Sequence, residues 1–280
     1  MLSAKRRCYM KRYMTPDEIS GAVVKMGVKK ANLKCSQTFL LSIFAGMFVA
    51  FGAHASITVM QTLKGIDAGL MKFMGAAVFP VGLMLVILAG GELFTSNNLL
   101  TFAMMDKKIT WKRVAKNWSM VYVGNCVGAV IFAITLYYSG LYFDEGALNA
   151  SGKLAQSIAE HKIHYGFGAV LLRGILCNII VVLSVWVATG AQDVASKIFA
   201  CWFPIMLFVL SGFEHSVANM YYLTMGVLID GNFDILNAIL NNLIPATIGN
   251  IIGGAVVVPV IYYLAIHRPM IKKAEEEIEE

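Results

Sequence analysis

The sequence predicts an all-α membrane protein in which six transmembrane helices form an inverted repeat of three plus three. Composition is the first sign, because 58% of the 280 residues are hydrophobic and only 14% are charged, unlike a soluble globular protein. Length is the second, since a membrane span needs about 20 apolar residues. The third is a matching polar interruption in two of the apolar segments. Six segments are long enough to span, near 37–62, 73–105, 119–143, 165–190, 194–229 and 235–266.

The chain before the first span is predicted to form an amphipathic helix over residues 15–34. Thr15 suits the N-cap and Pro16 suits the first helical position. Ile19 and Val23 fall on one apolar face, as expected of a helix that lies along a membrane surface. The predicted organisation is a cytoplasmic N-terminal segment (1–36), a six-span domain (37–266) and a charged cytoplasmic tail (267–280).

Lysine and arginine set the predicted orientation. With an even number of spans and both termini in the cytoplasm, eighteen of the 23 Lys and Arg residues fall on that side, as the positive-inside rule requires. The net charge of +6 is then explained by topology and lipid headgroups, and not by nucleic-acid binding. We therefore expect a multi-pass protein of the cell inner (plasma) membrane.

The second and fifth spans are each interrupted near the middle by glycine and glutamate. Pro80 is followed by G-G-E at 90–92, and Pro204 is followed by S-G-F-E-H at 211–215. A charged group at membrane depth costs roughly 2.5–3.5 kcal/mol on insertion scales, so such groups normally line a pathway or a buried polar site. Non-helical backbone is tolerated there only inside protein or beside a water-filled cavity. Two broken helices therefore indicate a channel or transporter.

A second motif repeats together with the breaks. Gly-Asn-x-x-Gly occurs at 124–128 in the third span and at 249–253 in the sixth, and small residues at this spacing pack helices closely. Because each half contains an odd number of spans, the second copy is inserted upside down. Inverted repeats with paired broken helices place the permeant near the membrane midplane.

Three stretches of sequence resemble a known family. E-L-F-T-S at 92–96, R-G-I-L-C-N at 173–178 and S-G-F-E-H at 211–215 are similar to signatures of the formate/nitrite transporters, and the similarity runs from the N-terminal helix through the sixth span. That family includes formate, nitrite and hydrosulfide channels. The resemblance implies an aquaporin-like hourglass in each protomer and a homopentamer with one pore per subunit. It also implies transport of small monovalent anions across a lipid bilayer.

The resemblance further assigns roles to individual side chains. It makes Thr95 the pore threonine and His215 the central histidine, both able to hydrogen-bond a permeating anion. The other matched positions are a vestibule lysine, Lys162; asparagines near the pore, Asn178 and Asn250; a cytoplasmic constriction, Phe79 and Leu83; and a periplasmic constriction, Phe208.

Glu92 and Glu214 are interpreted as structural residues at the helix breaks. A negative charge facing the pore would repel an anion, so we expect their carboxylates to accept backbone N–H groups freed by the broken helices. Arg173 lies inside the fourth span, where an unpaired guanidinium is costly, and we expect it to be buried beside a carboxylate.

Three functions are weighed on the sequence. The leading hypothesis is a channel for anions of weak acids in which His215 donates a hydrogen bond or a proton, and both channel and proton symport stay open. The alternative is an aquaporin-like channel for water or small neutral solutes, but the chain contains no Asn-Pro-Ala motif. The third is an intramembrane enzyme that uses Glu214 and His215, yet neither H-E-x-x-H nor G-x-S-x-G occurs. We expect no enzyme activity, no cofactor and no metal.

Overall fold

The computed structural model describes residues 13–279, most of which are helical. Within that part of the chain, five helices are long and apolar enough to cross a membrane. The fifth segment predicted from sequence forms two shorter apolar helices, Val194–Leu210 and Ser216–Ile229. The five long helices are Cys35–Met60, Ala68–Gly90, Trp111–Tyr138, Phe167–Gly190 and Ile235–Glu277.

Two of the long helices contain π-helical turns, and a small hairpin departs from the all-α prediction. The hairpin pairs β1 (Phe143–Asp144) with β2 (Ala147–Leu148). The π-helical turns are Val86–Gly90, Ala238–Leu243, Ile252–Val257 and Tyr263–His267, and a short 3-10 turn covers Leu63–Gly65. The α-helices are α1 (Pro16–Ala31), α2 (Cys35–Met60), α3 (Ala68–Val78), α4 (Val81–Leu85), α5 (Phe94–Asn97), α6 (Leu100–Met105), α7 (Trp111–Tyr138), α8 (Ala150–Ile163), α9 (Phe167–Gly190), α10 (Val194–Leu210), α11 (Ser216–Ile229), α12 (Ile235–Asn237), α13 (Ile244–Ile251), α14 (Val258–Tyr262) and α15 (Arg268–Glu279).

Helix α1 begins where the sequence predicts and packs against other helices. The Thr15 hydroxyl accepts the Glu18 backbone N–H, and the Glu18 carboxylate accepts the Thr15 N–H, which forms a capping box. Gly27 lies so close to α6 that a Cβ added there would be 2.8 Å from the Cβ of Ala103. The apolar face of α1 therefore meets protein, and the helix is docked on the membrane domain. Residues 1–12 of the predicted N-terminal segment lie outside the described residues.

Both predicted helix breaks are present. The helix of the second span ends at Gly90 and helix resumes at Phe94, while in the fifth span α10 ends at Leu210 and α11 begins at Ser216. Each break contains a glycine with positive φ, +91° at Gly90 and +71° at Gly212. Glycine adopts this conformation readily because it has no Cβ, whereas other residues are strained there. The glycines predicted to weaken these helices thus lie where the chain turns out of helical geometry.

The glycines of the two G-N-x-x-G motifs bring equivalent helices into close contact. Gly128 of α7 packs against the backbone carbonyl of Ile43 in α2, and Gly253 packs against the carbonyl of Ile175 in α9. A Cβ at either position would overlap that carbonyl. The predicted packing role is therefore confirmed, and it is the same in both halves of the chain.

Candidate functional site

The two helix breaks meet at a hydrogen bond between Thr95 and His215. The Thr95 Oγ1 and His215 Nε2 atoms are 2.9 Å apart, and both residues are buried. His215 is the N-cap of α11, and its Nδ1 accepts the backbone N–H of Ala218 at 3.0 Å. Because Nδ1 is an acceptor, the ring proton lies on Nε2 and is donated to the threonine hydroxyl. The site therefore contains a neutral imidazole that offers an N–H.

A buried lysine–glutamate pair lies beside His215. Lys162 Nζ donates to both Glu214 carboxylate oxygens, at 3.0 and 2.9 Å. The Asn219 side chain donates to Glu214 Oε2 at 2.7 Å and to the Asn242 carbonyl oxygen at 2.7 Å. Neutralisation by the lysine and hydrogen bonds from the amides offset the cost of burying this carboxylate.

The first half contains the same arrangement around Glu92. Lys30 Nζ of α1 lies 2.9 Å from Glu92 Oε1. The Asn97 side chain donates to Glu92 Oε2 at 2.6 Å and to the Asn117 carbonyl oxygen at 2.9 Å. At each break, therefore, the Glu side chain is bound by one Lys and one Asn, and that Asn is bound to a second Asn.

The backbone groups freed by the breaks are bound by asparagines of the G-N-x-x-G motifs. Asn125 Oδ1 accepts the Phe94 N–H at 2.9 Å, and Asn250 Oδ1 accepts the Ser216 N–H at 2.9 Å. Both side-chain amides also donate to the backbone carbonyl of the nearby glutamate, Glu92 or Glu214, at 2.9 Å. The prediction that the glutamate carboxylates bind the freed N–H groups was therefore wrong. A short amide carries both donor and acceptor and binds both kinds of backbone group, which a carboxylate cannot do.

The two predicted pore asparagines brace the backbone. Asn250 makes the contacts just described and is fully buried. Asn178 is also fully buried, and its amide donates to the Asn250 carbonyl at 2.7 Å and to Asn98 Oδ1 at 2.8 Å. Both residues lie near the Thr95–His215 pair and hold the elements that carry it.

The phenylalanines predicted at opposite constrictions lie together. The ring centroids of Phe79 and Phe208 are 5.6 Å apart with an edge-to-face angle of 84°, and both rings line one cavity beside His215. Leu83, one turn after Phe79, is buried. The assignment of Phe79 to a cytoplasmic constriction separate from Phe208 was wrong. Sequence spacing gives the helix face of a residue and does not give its partner on another helix.

Two predicted environments of charged residues also differ from the structure. The guanidinium of Arg173 lies 4.2 Å over the ring of Tyr165, and it has no carboxylate partner among residues 13–279. Lys162 is not an open vestibule charge, because Glu214 neutralises it and only 13% of its side chain is exposed. Tyr165 lies in the turn before α9, and Glu214 lies in the second helix break.

Two cavities lie near the helix breaks, and each is lined by residues from both halves of the chain. The Lys162 cavity, of about 200 Å³, is lined by Lys162, Glu214 and His215. The Lys30 cavity, of about 540 Å³, is lined by Lys30, Glu92 and Ser96, the residue after Thr95. The imidazole of the hydrogen-bonded pair therefore lines one cavity, and the residue after its threonine lines the other.

Sequence reasoning missed most of this polar framework. The glutamates, the motif asparagines and Lys162 were singled out, but the other partners of the glutamates were not. One signal was available, because an asparagine follows each glutamate by five residues, at Asn97 and Asn219. The missed residues are Lys30, Asn97, Asn117, Asn219 and Asn242.

Comparison with known proteins agrees with these motifs. The model of the formate/nitrite transporter family matches residues 17–264. The chain belongs to the formate/nitrite transporter family. It is 41% identical over 263 residues to an uncharacterized transporter, YrhG of Bacillus subtilis (strain 168), covering 91% of this chain and 95% of that protein. It is 35% identical over 272 residues to the formate channel FocA of Escherichia coli (strain K12), covering 90% and 94%.

The fold comparison agrees with the family. A solved structure described as a pentameric formate channel with formate bound matches with a TM-score of 0.73 and 32% identity, covering 82% of this chain and 96% of that one. Membership of the formate/nitrite transporter family makes this chain a membrane channel or transporter, in preference to the aquaporin alternative. Its relatives are channels and transporters, which is consistent with a protein that is not an enzyme.

Proposed function

We propose that this protein is a channel for small monovalent anions of weak acids, with formate, nitrite and hydrosulfide as the candidate substrates. The observation that carries the proposal is the buried Thr95–His215 hydrogen bond, whose imidazole lines a cavity beside Lys162. The names of FocA and of the formate-bound structure support the substrate class.

The proposed role of the Thr95–His215 pair is to replace water around the anion. The neutral imidazole donates its Nε2–H, and the threonine hydroxyl supplies a second O–H donor. His215 also caps the N-terminus of α11, where the helix dipole favours negative charge. The edge-to-face rings of Phe79 and Phe208 exclude a hydrated ion, so the anion reaches these donors without its water shell.

The proposed proton coupling is constrained by the same hydrogen bonds. A neutral imidazole that donates Nε2–H holds no spare proton, and charging the ring requires a proton on Nδ1. That proton would displace the backbone N–H of Ala218, which His215 Nδ1 accepts. Protonation of His215 at Nδ1 therefore breaks the cap of α11. We propose that His215 donates a hydrogen bond in its resting state, and that proton transfer is coupled to loss of this cap.

The proposed assembly is a homopentamer in the inner membrane with both termini cytoplasmic. Six spans in two inverted halves are supported by five long apolar helices, by the apolar pair α10 and α11, and by the equivalent Lys–Glu–Asn contacts of the two breaks. The pentamer is supported by the description of the formate-bound structural relative. Apolar side chains exposed on α2, α9 and α10 are available for lipid and for neighbouring subunits.

Flux into proteoliposomes tests this function. We expect wild-type protein to carry formate, nitrite or hydrosulfide and to exclude glycerol, measured by stopped-flow swelling with each salt and with the polyol. Flux of polyol without anion flux would reject the proposal. The same assay between pH 5 and 8, on protein lacking residues 1–14 and on His215→Phe, tests the proton step. We expect the pH dependence of flux to persist in the protein that lacks residues 1–14 and to disappear in the His215→Phe variant.

A further inference from the structure

One wall of the Lys162 cavity is a single face of α11 and its N-cap. The residues of this wall follow the spacing i, i+3, i+4, i+7, which places side chains on one side of a helix. They are His215, Ala218, Asn219 and Tyr222. Tyr222 lies two turns, roughly 10 Å, beyond His215 along this face. An anion that crosses the cavity toward the imidazole therefore meets the face that carries Tyr222.

The buried donors of this wall have partners, except for the hydroxyl of Tyr222. Both ring nitrogens of His215 are hydrogen-bonded, and the Asn219 amide uses both of its N–H groups on other side chains. Tyr222 is 9% exposed, and its hydroxyl makes no hydrogen bond to residues 13–279. The Asn219 carbonyl oxygen is also unpaired, but it is sealed within the protein, whereas the Tyr222 hydroxyl is not. Tyr222 therefore has a free donor at the cavity wall.

The preceding tyrosine shows the opposite arrangement. Tyr221 is fully buried, and its hydroxyl lies 2.8 Å from the hydroxyl of Tyr142. A buried phenol normally satisfies its hydroxyl in this way. The ring of Tyr222 contributes to packing, because its centroid lies 5.3 Å from the ammonium of Lys162, but phenylalanine would supply the same ring. Packing thus leaves the hydroxyl of Tyr222 unexplained.

We propose that the Tyr222 hydroxyl opens into the Lys162 cavity and donates a hydrogen bond to an oxygen atom of the permeating anion. Tyr222 is then a specificity residue for small oxyanions. Formate and nitrite present oxygen acceptors, whereas hydrosulfide presents only sulfur, which is a weak acceptor. This inference rests on the proposed function, and within it selects formate and nitrite over hydrosulfide.

A hydrogen bond can separate these anions where charge cannot. All three carry one negative charge, so a cationic group attracts them alike. Glu214 neutralises the lysine beside the Tyr222 ring, which leaves the hydroxyl as the distinguishing contact. A site that hydrogen-bonds its substrate rejects an analogue that cannot accept the bond well, because its buried polar group then lacks a good partner.

Anion flux through the full-length protein in proteoliposomes tests the role of Tyr222. Initial rates are measured against concentration for formate, nitrite and hydrosulfide, each corrected for leak through protein-free liposomes. We expect Tyr222→Phe to raise the half-saturating concentrations of formate and nitrite about fivefold, as for the loss of one neutral hydrogen bond. The value for hydrosulfide should change by less than about twofold. The unfolding temperature should equal that of the wild type, because the hydroxyl binds no other side chain.

Tyr221→Phe is the matched control, since it removes a hydroxyl from the adjacent residue and breaks the bond to Tyr142. It should lower the unfolding temperature and leave the ratio of formate to hydrosulfide half-saturation unchanged. An equal change for all three anions in Tyr222→Phe, or an unchanged value for formate, would overturn the inference while the proposed function stands. So would a wild-type protein that half-saturates at less hydrosulfide than formate. A wild-type protein that carries none of the three anions would reject both.

Discussion

The helix break of the first half, residues 91–93, and that of the second half, residues 211–215, share a polar framework and differ at their centres. Each glutamate carboxylate is neutralised by a lysine and accepts a hydrogen bond from the asparagine five residues later. Directly after the glutamate, however, the first break has Leu93 and the second has His215. Three residues after the glutamate, the first has Thr95 and the second has Val217.

The comparison separates what a broken membrane helix needs from what a pore needs. Any break at membrane depth frees backbone groups and must keep its buried charge neutral, so both halves use the same solution. A central binding site needs donors that converge on one point, and there the halves are complementary. One half supplies the hydroxyl and the other supplies the imidazole, 2.9 Å apart.

The largest effect on flux is expected when the residue after Glu214 in the second break is changed to the leucine that follows Glu92 in the first. His215→Leu removes the imidazole N–H and leaves Leu at both positions. We expect formate flux to fall about 100-fold, since loss of one preorganised donor in a desolvated anion site costs about 10²–10³ in rate. The measurement is flux per pentamer in proteoliposomes. Leu93→Met is the control in the first break, and normal anion flux in His215→Leu would contradict the assigned role.

The shared framework predicts similar losses of stability in both halves. Glu214→Gln or Glu92→Gln leaves a lysine without its counter-charge, and removing one partner of a buried pair costs about 3–5 kcal/mol. We expect a lower unfolding temperature for both, with the smaller change for Glu92, whose partner Lys30 is the more exposed lysine (19% against 13%). The double variant Lys162→Met/Glu214→Gln should recover part of the loss. Fully additive losses would show that the pair does not interact.

Asn125 and Asn250 make equivalent hydrogen bonds to the backbone, but they lie beside different members of the central pair. Asn125→Ala and Asn250→Ala each leave buried backbone groups unpaired, at a cost of about 1–3 kcal/mol. We expect equal shifts in unfolding temperature and the larger loss of flux in Asn250→Ala, because it releases the N–H of Ser216 beside the imidazole donor, whereas Asn125→Ala releases the N–H of Phe94 beside Thr95. Asn241→Ala, at an exposed position, is the control. Equal flux in the Asn125 and Asn250 variants would contradict this difference.

The smallest effect is expected at the apolar rings. Phe208 lies six residues before Glu214, and the equivalent residue before Glu92 is Val86. Phe208→Val should widen the passage beside Phe79 and raise conductance by a factor of about two, because an apolar constriction limits entry of the ion. Single-channel recording in planar bilayers measures it, with Phe199→Val on the exposed face of the same helix as control. A destabilised pentamer with unchanged conductance would show that Phe208 only packs.

The sequence by itself determined the features that depend on local chemistry. Long apolar runs located the spans, glycines with freedom at positive φ located both breaks, and the G-N-x-x-G motifs predicted the close helix contacts. Each of these follows from residues that are neighbours along the chain. The motifs at the breaks were also specific enough to identify the family.

Tertiary structure alone decided which side chains pair across the molecule. Lys30 reaches Glu92 from α1, and Phe79 meets Phe208 from another span. The periodicity of a helix gives the face on which a residue lies. The depth and partner of that residue depend on how separate helices pack, and a buried polar group takes whichever partner the packing brings within hydrogen-bond distance.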